Sequence, residues 1–303
     1  MNKFSFSYLV ACYGLASIFT YNNNLSLEYQ IIGSLILIVL FGIPHGAIDN
    51  IILQSETKIS SAKFYSIYLS IIILYIVFWF LFPLYSFYFF LLLSAYHFGE
   101  SQFANYKILS KTKKSIYLFW GISLMSSLFI YNKTELSNLF LLYEDTTKLN
   151  NIFKGKVFQI IFYASNTLTL ISLFYLRIRK KIKTSVFNSE LFQMLLIHIT
   201  FYLFPVIISF TLYFVFLHSL KVLSQEFKYL NKKMGITSIF KFIKILAPHT
   251  VLSLIFVLIF ITMSSKNIID ISILLFTIMS VSVITLPHSI VMTKFYEKFK
   301  TRY

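Results

Sequence analysis

The sequence predicts an all-α fold, a polytopic membrane helical bundle of about ten transmembrane helices, and three observations indicate it. Only 13% of the 303 residues are charged, about half the share found in soluble domains. The mean hydropathy is +0.75, and long apolar runs recur along the chain. This composition excludes a water-soluble globule and a disordered chain, because disorder needs low hydrophobicity and high charge.

Each predicted span is a mostly apolar run close to the ~20 residues that cross the hydrocarbon core. Pro205 separates the predicted spans 188–203 and 206–228. The alternative is a single kinked helix over 188–228, which leaves about nine spans. We expect residues 1–303 to form a single integral-membrane domain in which the segment 132–156 is a loop over one face. The predicted spans are 5–20, 29–54, 64–82, 84–105, 115–131, 157–176, 188–203, 206–228, 245–263 and 268–293.

The basic residues predict the orientation of these spans. If the N-terminus is cytoplasmic, most of the 27 Lys and Arg residues fall in cytoplasmic segments, as membrane proteins prefer. We therefore expect both termini in the cytoplasm and a multi-pass protein of the inner (plasma) membrane. The net charge of +16 then reflects topology and contact with anionic membrane lipid, and no nucleic acid is expected as a partner.

All six histidines fall inside predicted spans, where ionisable residues are costly and usually functional. Four of them lie on spans of one direction, roughly 5 to 10 residues before the cytoplasmic end, which places them within a slab about 8 Å thick. Four imidazoles from four helices at one depth predict a metal site in the bundle core. These four residues are His45, His97, His218 and His288.

The other two histidines are treated differently. For His198 we expect a hydrogen bond to a neighbouring helix, which is also the alternative for each histidine taken singly. His249 is a reserve metal ligand.

Proline directly precedes His45, His249 and His288, and it kinks a helix and frees a backbone carbonyl. Gly42 and Gly46 flank the first of these, which indicates either close approach of a helix or ligand, or ordinary small-residue packing.

Two carboxylates accompany the histidines. Asp49 follows His45 by four residues and Glu100 follows His97 by three, so each shares a helix face with its histidine. A metal-bound imidazole commonly donates its other N–H to a carboxylate, and a partner from another helix is equally possible. The alternative is hydration near the membrane interface. We expect Glu226, further along its helix, to lie nearer the surface and to be solvated.

Nitrogen ligands without thiolates leave zinc, copper and iron as candidate metals. The sequence contains no HExxH zinc-protease motif, none of the HxxxH and HxxHH clusters of membrane di-iron desaturases, and no helix with the paired histidines of bis-haem proteins. No nucleophile elbow, phosphate loop or dinucleotide fingerprint supports a hydrolase or a nucleotide-dependent enzyme. A single four-histidine iron site with open positions for dioxygen fits best.

At these residues the sequence resembles the Brp/Blh family of membrane carotene dioxygenases. The resemblance implies Fe²⁺-dependent cleavage of the central double bond of β-carotene by O₂, which gives two all-trans retinal molecules for a downstream retinal-binding rhodopsin. It also implies that His45, His97 and His218 are iron ligands and catalytic residues. The segments that carry it are GIPHGAID (42–49), YHFGESQF (96–103), FLHSLK (216–221) and LPHSIV (286–291).

One motif departs from the family pattern. The family reads HSxRH, whereas this chain has Lys221 in place of the arginine and Val222 in place of the second histidine. Asn50 stands where a histidine is common in relatives. If the missing histidine is a ligand in relatives, another must replace it, and we expect His288 first and His249 second.

Two alternatives to the dioxygenase remain at this point. One is a catalytically altered family member that binds carotenoid or retinal. The other is a proton-coupled transporter with a relay formed by His45, Asp49, His97 and Glu100. β-Carotene is an insoluble hydrocarbon of about bilayer length, so it would reach a site sideways from lipid. Aromatic residues for the walls of such a site are present in 85–98 and 210–219.

Overall fold

The protein is an α-helical bundle, seen here in a computed structural model that describes residues 2–21, 25–104, 106, 108, 112–266 and 268–302. Every regular element within those ranges is helical. The α-helices are α1 Lys3–Tyr21, α2 Leu27–Leu37, α3 Asp49–Glu56, α4 Ser61–Leu81, α5 Pro83–Gln102, α6 Lys113–Tyr131, α7 Lys133–Leu141, α8 Val157–Ile178, α9 Thr184–Leu203, α10 Val206–Leu212, α11 Leu220–Met234, α12 Ile239–Ser265 and α13 Ile273–Arg302.

Eight stretches of the described residues are helices long and apolar enough to cross a membrane. The bent pair α6 and α7, which meet at 76°, is a ninth candidate. The break predicted at Pro205 is present, because α9 and the stretch Val206–Met234 each qualify as a separate span. The single kinked helix over 188–228 is therefore wrong. The predicted span 84–105 corresponds to α5, which is not among these candidates, so the described residues contain eight or nine candidate spans where about ten were predicted. Residue 105 lies outside the described residues.

Two of the long stretches are interrupted near their middle. Between α2 and α3 the backbone passes through a π-helical segment, Ile38–Gly42, and a 3₁₀ turn, Ile43–Gly46. Between α10 and α11 it passes through a second π-helical segment, Tyr213–Ser219. Such π segments are rare and occur often at functional sites. Each interruption carries one of the histidines of the predicted metal site.

The segment 132–156, predicted as a loop, is helical. It contains α7 and a 3₁₀ helix, Glu144–Phe153. The carboxylate of Glu135 accepts a hydrogen bond from the backbone N–H of Val206 at 2.8 Å, and Asp145 accepts one from the N–H of Ser272 at 2.8 Å. Both carboxylates thus satisfy donors at or just before the start of a helix, where backbone N–H groups lack partners. These contacts bring this segment and the starts of α10 and α13 to one end of the bundle.

Helices α5 and α6 pack with their backbones in contact. A Cβ atom added to Gly99 would lie 1.8 Å from the carbonyl oxygen of Tyr117, and one added to Gly121 would lie 1.6 Å from that of Ala95. No larger residue fits at such distances, so both positions require glycine. This close pairing fixes α5, which carries His97, against the rest of the bundle.

Candidate metal centre

Four imidazole rings meet in the middle of the bundle. The ring centroids of His45 and His97 each lie 5.1 Å from those of His218 and His288, so the four rings close a quadrilateral with equal sides. All four side chains are buried, with exposed fractions between 1% and 8%. We call this group the histidine quartet. It brings together the four histidines that the sequence analysis placed at one depth.

The four residues reach the quartet from different local structures. His45 lies on the 3₁₀ turn that follows the first π segment, and His218 lies within the second π segment. His97 lies on α5, and His288 follows Pro287 inside the unbroken helix α13. No sequence signal predicted the two π segments, and the prolines alone do not account for them, because α13 continues through its own proline.

The ligand atoms converge most closely for three of the four. Nitrogens of His45, His97 and His288 all lie within 4.8 Å of one another. The expected triad contained His218, which completes the quadrilateral beside them. His288, which was predicted to replace the histidine absent at Val222, is a member of this converging triad, and its role as a ligand stays a prediction.

Five of the eight ring nitrogens of the quartet lack partners in the part of the chain that the structure describes. Both ring nitrogens of His97, both of His218 and Nε2 of His288 are buried without a hydrogen bond. Buried polar groups are almost always paired, and unpaired ones call for an ion, a water or a catalytic role. Each ring can offer one nitrogen to a given ion, so these three rings present unpaired imidazole donors of the kind that a transition metal binds.

The spacing of the rings also fits one shared ion. Imidazoles bound to one metal at about 2.1 Å place their ring centroids about 4.6 Å apart in a square arrangement and about 5.3 Å apart in a tetrahedral one. The measured sides of 5.1 Å lie between these values. The residues present therefore fit a metal ion held by His45, His97 and His288, whose ligand nitrogens converge, with the ring of His218 beside them.

Hydrogen bonds orient two of the rings. His288 Nδ1 donates to both carboxylate oxygens of Asp49, at 2.9 and 3.0 Å, and the Tyr68 hydroxyl donates to the same carboxylate at 3.1 Å. His45 Nδ1 donates to the carbonyl of Gly42. In both rings the proton is thus assigned to Nδ1, which leaves the Nε2 lone pair for a metal. The histidine that pairs with Asp49 is therefore His288 on another helix. It is not His45, which lies four residues before Asp49 in the sequence.

Glu100 makes a hydrogen bond to another helix. Its carboxylate accepts a hydrogen bond from the Thr293 hydroxyl at 2.6 Å, which links α5 to α13. It thus connects the two helices that carry His97 and His288. Glu100 is 3% exposed and Asp49 is 3% exposed, so neither is hydrated at an interface.

The two remaining histidines lie elsewhere. His198 contacts Asn166 at 2.9 Å and Tyr131 at 2.9 Å, in a polar group between α6, α8 and α9. This is the interhelical hydrogen bonding expected for it. His249, the reserve ligand, contacts the Tyr65 hydroxyl through Nε2 at 3.1 Å and does not belong to the converging group.

The two residues that depart from the HSxRH motif, Lys221 and Val222, are both buried. Val222 is fully buried in an apolar cluster with Ile48 and Met292. Lys221 is buried and its ammonium donates to the carbonyl of Gln102, at the end of α5, at 2.7 Å. The motif thus ties α11 to the helix of His97.

Glu226 was expected to be solvated, and that expectation is wrong. Its side chain is 0% exposed, and neither carboxylate oxygen has a hydrogen-bond partner in the described residues. The prediction considered only the position of Glu226 along its own helix. In the structure α3 and α13 continue beside α11 at this level and cover the Glu226 side chain.

Comparison with protein families gives a match over most of the chain. The family described as beta-carotene 15,15'-dioxygenase matches residues 36–296. The chain belongs to this family. Comparison with curated proteins and with solved structures finds no match. Membership in the beta-carotene 15,15'-dioxygenase family supports a dioxygenase-like function and a membrane location, and all four residues of the quartet lie inside the matched region.

Proposed function

We propose that the protein cleaves the central double bond of β-carotene with O₂ to give two molecules of all-trans retinal. The observation that carries the proposal is the histidine quartet, four buried imidazoles whose ring centroids form a quadrilateral with 5.1 Å sides and three of which have unpaired nitrogens among the described residues. Family membership supplies the substrate class. The reaction breaks one C=C and one O–O bond and forms two C=O bonds, so it needs no added reductant.

The proposed cofactor is Fe²⁺ held by His45, His97, His218 and His288. Iron bound there would activate dioxygen for addition across the double bond. Asp49 orients His288, and the Gly42 carbonyl orients His45, so both present Nε2 to the centre. The burial of all four rings excludes bulk water from the reacting polyene. His249 remains outside this ligand set because its ring is engaged with Tyr65.

The remaining parts of the proposal follow from the substrate. β-Carotene dissolves in membrane lipid, so we propose that it reaches the site from the bilayer of the inner (plasma) membrane and that a retinal-binding rhodopsin takes the product. The transporter alternative requires a relay through His45, Asp49, His97 and Glu100. In the structure Asp49 instead pairs with His288, and Glu100 with Thr293.

Expression in a β-carotene-producing bacterium tests the proposal. We expect loss of orange colour and formation of retinal, measured by chromatography of the extract. His97→Gln removes one ring of the quartet and should abolish retinal formation. His198→Gln is the matched control, since this histidine lies in the separate polar group with Asn166, and it should keep the activity. Intact colour with a well-expressed, iron-loaded wild type would overturn the proposal.

A further inference from the structure

Three aromatic rings stack on one another along α10 and the π segment that follows it. The rings of Phe210 and Phe214 are nearly parallel, with centroids 5.3 Å apart and an angle of 14°. Phe214 in turn stacks on His218 at 5.6 Å and 19°. Because the three residues are spaced by four, their rings share one helix face. We call this row the aromatic ladder, and it ends at the histidine quartet.

The ladder borders the quartet on the side of the start of α10. The Phe214 ring also meets His45 edge-on at 5.5 Å. Phe98 meets His218 edge-on at 4.9 Å and lies 6.4 Å from Phe214. These rings offer hydrogen bonds to neither water nor a polar ligand. This side of the site is therefore suited to an apolar molecule.

The ladder also connects the buried quartet with the surface of the span. Phe210 and Phe214 are half-buried, whereas the quartet histidines are buried. In a membrane-spanning segment, the accessible part of such a ring faces hydrocarbon, not water. A molecule dissolved in lipid can thus contact the ladder, whose inner end stacks on the buried ring of His218.

The absence of a side chain at Gly42 leaves room for the ladder. A Cβ atom at this position would lie 2.7 Å from Cε1 of Phe214, closer than carbon atoms approach without a shift. Any side chain at Gly42 would push the ring out of its stack between Phe210 and His218. The glycine of the GIPHG segment therefore allows Phe214 to stack in the ladder, in addition to any role in helix packing.

The ladder extends along most of one half of a bilayer-length hydrocarbon. Its three rings follow one another at centroid separations of 5.3 and 5.6 Å, from Phe210 to His218. Half the thickness of the hydrocarbon core is about 15 Å. A molecule of that full length with its central bond at the quartet would place one half along the ladder.

We infer that the Phe210–Phe214 ladder binds one half of an elongated conjugated hydrocarbon and determines which of its double bonds lies at the quartet. The inference rests on the proposed function for the identity of the hydrocarbon. Flat conjugated chains stack on aromatic faces as rings stack on one another. Phe214 is then a specificity-determining residue, and Gly42 positions it.

Three leucine variants of the full-length, iron-loaded protein in membranes test this inference. They are Phe210→Leu, Phe214→Leu and the matched control Phe216→Leu, whose half-buried side chain points to roughly the opposite face two residues along. For each we measure KM and kcat for β-carotene, the ratio of central to off-centre cleavage products, and bound iron. A fourth readout is the β-carotene that copurifies with the protein.

Phe214→Leu should raise KM about tenfold, produce off-centre products and lower the copurified pigment, with wild-type iron content. Phe210→Leu should show the same changes more weakly, and Phe216→Leu should match the wild type. Wild-type KM, products and pigment in Phe214→Leu, or equal losses in Phe216→Leu, would overturn the inference. Loss of iron in Phe214→Leu would also overturn it, because the ring would then act by supporting His218.

The two proposals fail differently. If the wild type forms no retinal and yet retains β-carotene in a manner that depends on Phe214, the proposed function is wrong and the ladder assignment stands. If retinal forms normally in Phe214→Leu with unchanged KM and product ratio, the ladder assignment is wrong and the proposed function stands.

Discussion

The carboxylate of Asp49 accepts a hydrogen bond from Nδ1 of His288 at 2.9 Å, across 239 positions of the sequence. This contact joins the first histidine motif to the last one and fixes the ring of His288 with Nε2 toward the quartet. It also gives the metal-site assignment a consequence that can be measured without any carotenoid.

Asp49→Asn should weaken metal binding about 10- to 100-fold, as loss of a carboxylate partner does for other metal-bound histidines. The amide keeps the shape of the side chain and removes its charge. Titration of the metal-free protein with Fe²⁺ measures the effect. Asp270→Asn is the control, because Asp270 is exposed and does not belong to the histidine quartet. This variant should bind Fe²⁺ as the wild type does. Equal affinity in Asp49→Asn would contradict the orienting role.

His288→Ala should abolish both metal retention and activity, because its nitrogen belongs to the converging triad. His249→Ala should retain both, since that ring contacts Tyr65 instead. Elemental analysis of the purified variants separates loss of metal from loss of fold. Full activity in His288→Ala would disprove the substitution of this residue for the histidine absent at Val222.

Gly99→Ala should destabilise the protein by about 3 kcal/mol or more, because overpacking at a rigid contact forces the backbones apart. The added Cβ would lie 1.8 Å from the Tyr117 carbonyl oxygen. Gly14→Ala is the matched control, since a Cβ there meets nothing within 4 Å. Thermal unfolding in detergent measures both. A Tm in Gly99→Ala equal to that of the control would show that α5 and α6 pack differently.

Glu226→Leu should raise the Tm, because a buried carboxyl group without a hydrogen-bond partner costs about 1–3 kcal/mol. Glu190→Leu should lower it, although Glu190 is equally buried, because its carboxylate accepts a 2.7 Å hydrogen bond from Gln102. The pair thus compares two glutamates that differ in their partners. A lower Tm in Glu226→Leu would indicate that this carboxylate has a stabilising partner.

The bundle and the quartet were predictable from sequence for physical reasons. Backbone groups that are buried in lipid must be hydrogen-bonded within their own segment, which favours helices as spans, so hydropathy placed long helices such as α4, α8 and α9 close to where they lie. Basic residues then gave a direction for each span, and direction gave the common depth of His45, His97, His218 and His288. Each of these steps uses a property that a residue carries regardless of its neighbours.

The features that sequence reasoning missed depend on neighbours from distant parts of the chain. The partner of Asp49 proved to be His288 because α3 and α13 pack together, which spacing along one helix cannot indicate. The burial of Glu226 has the same origin. The π segments at 38–42 and 213–219 follow no propensity rule, and α7 was hidden because the segment 132–156 mixes polar and apolar residues.

The position of His288 on α13 has a consequence for biogenesis. The other three quartet residues enter the membrane earlier in synthesis, on stretches that end with α3, α5 and α11. The quartet is therefore complete only after α13 has been synthesised and has docked beside α3 and α5. On the proposed function, iron can bind only to a chain in which segments 239 positions apart have already met.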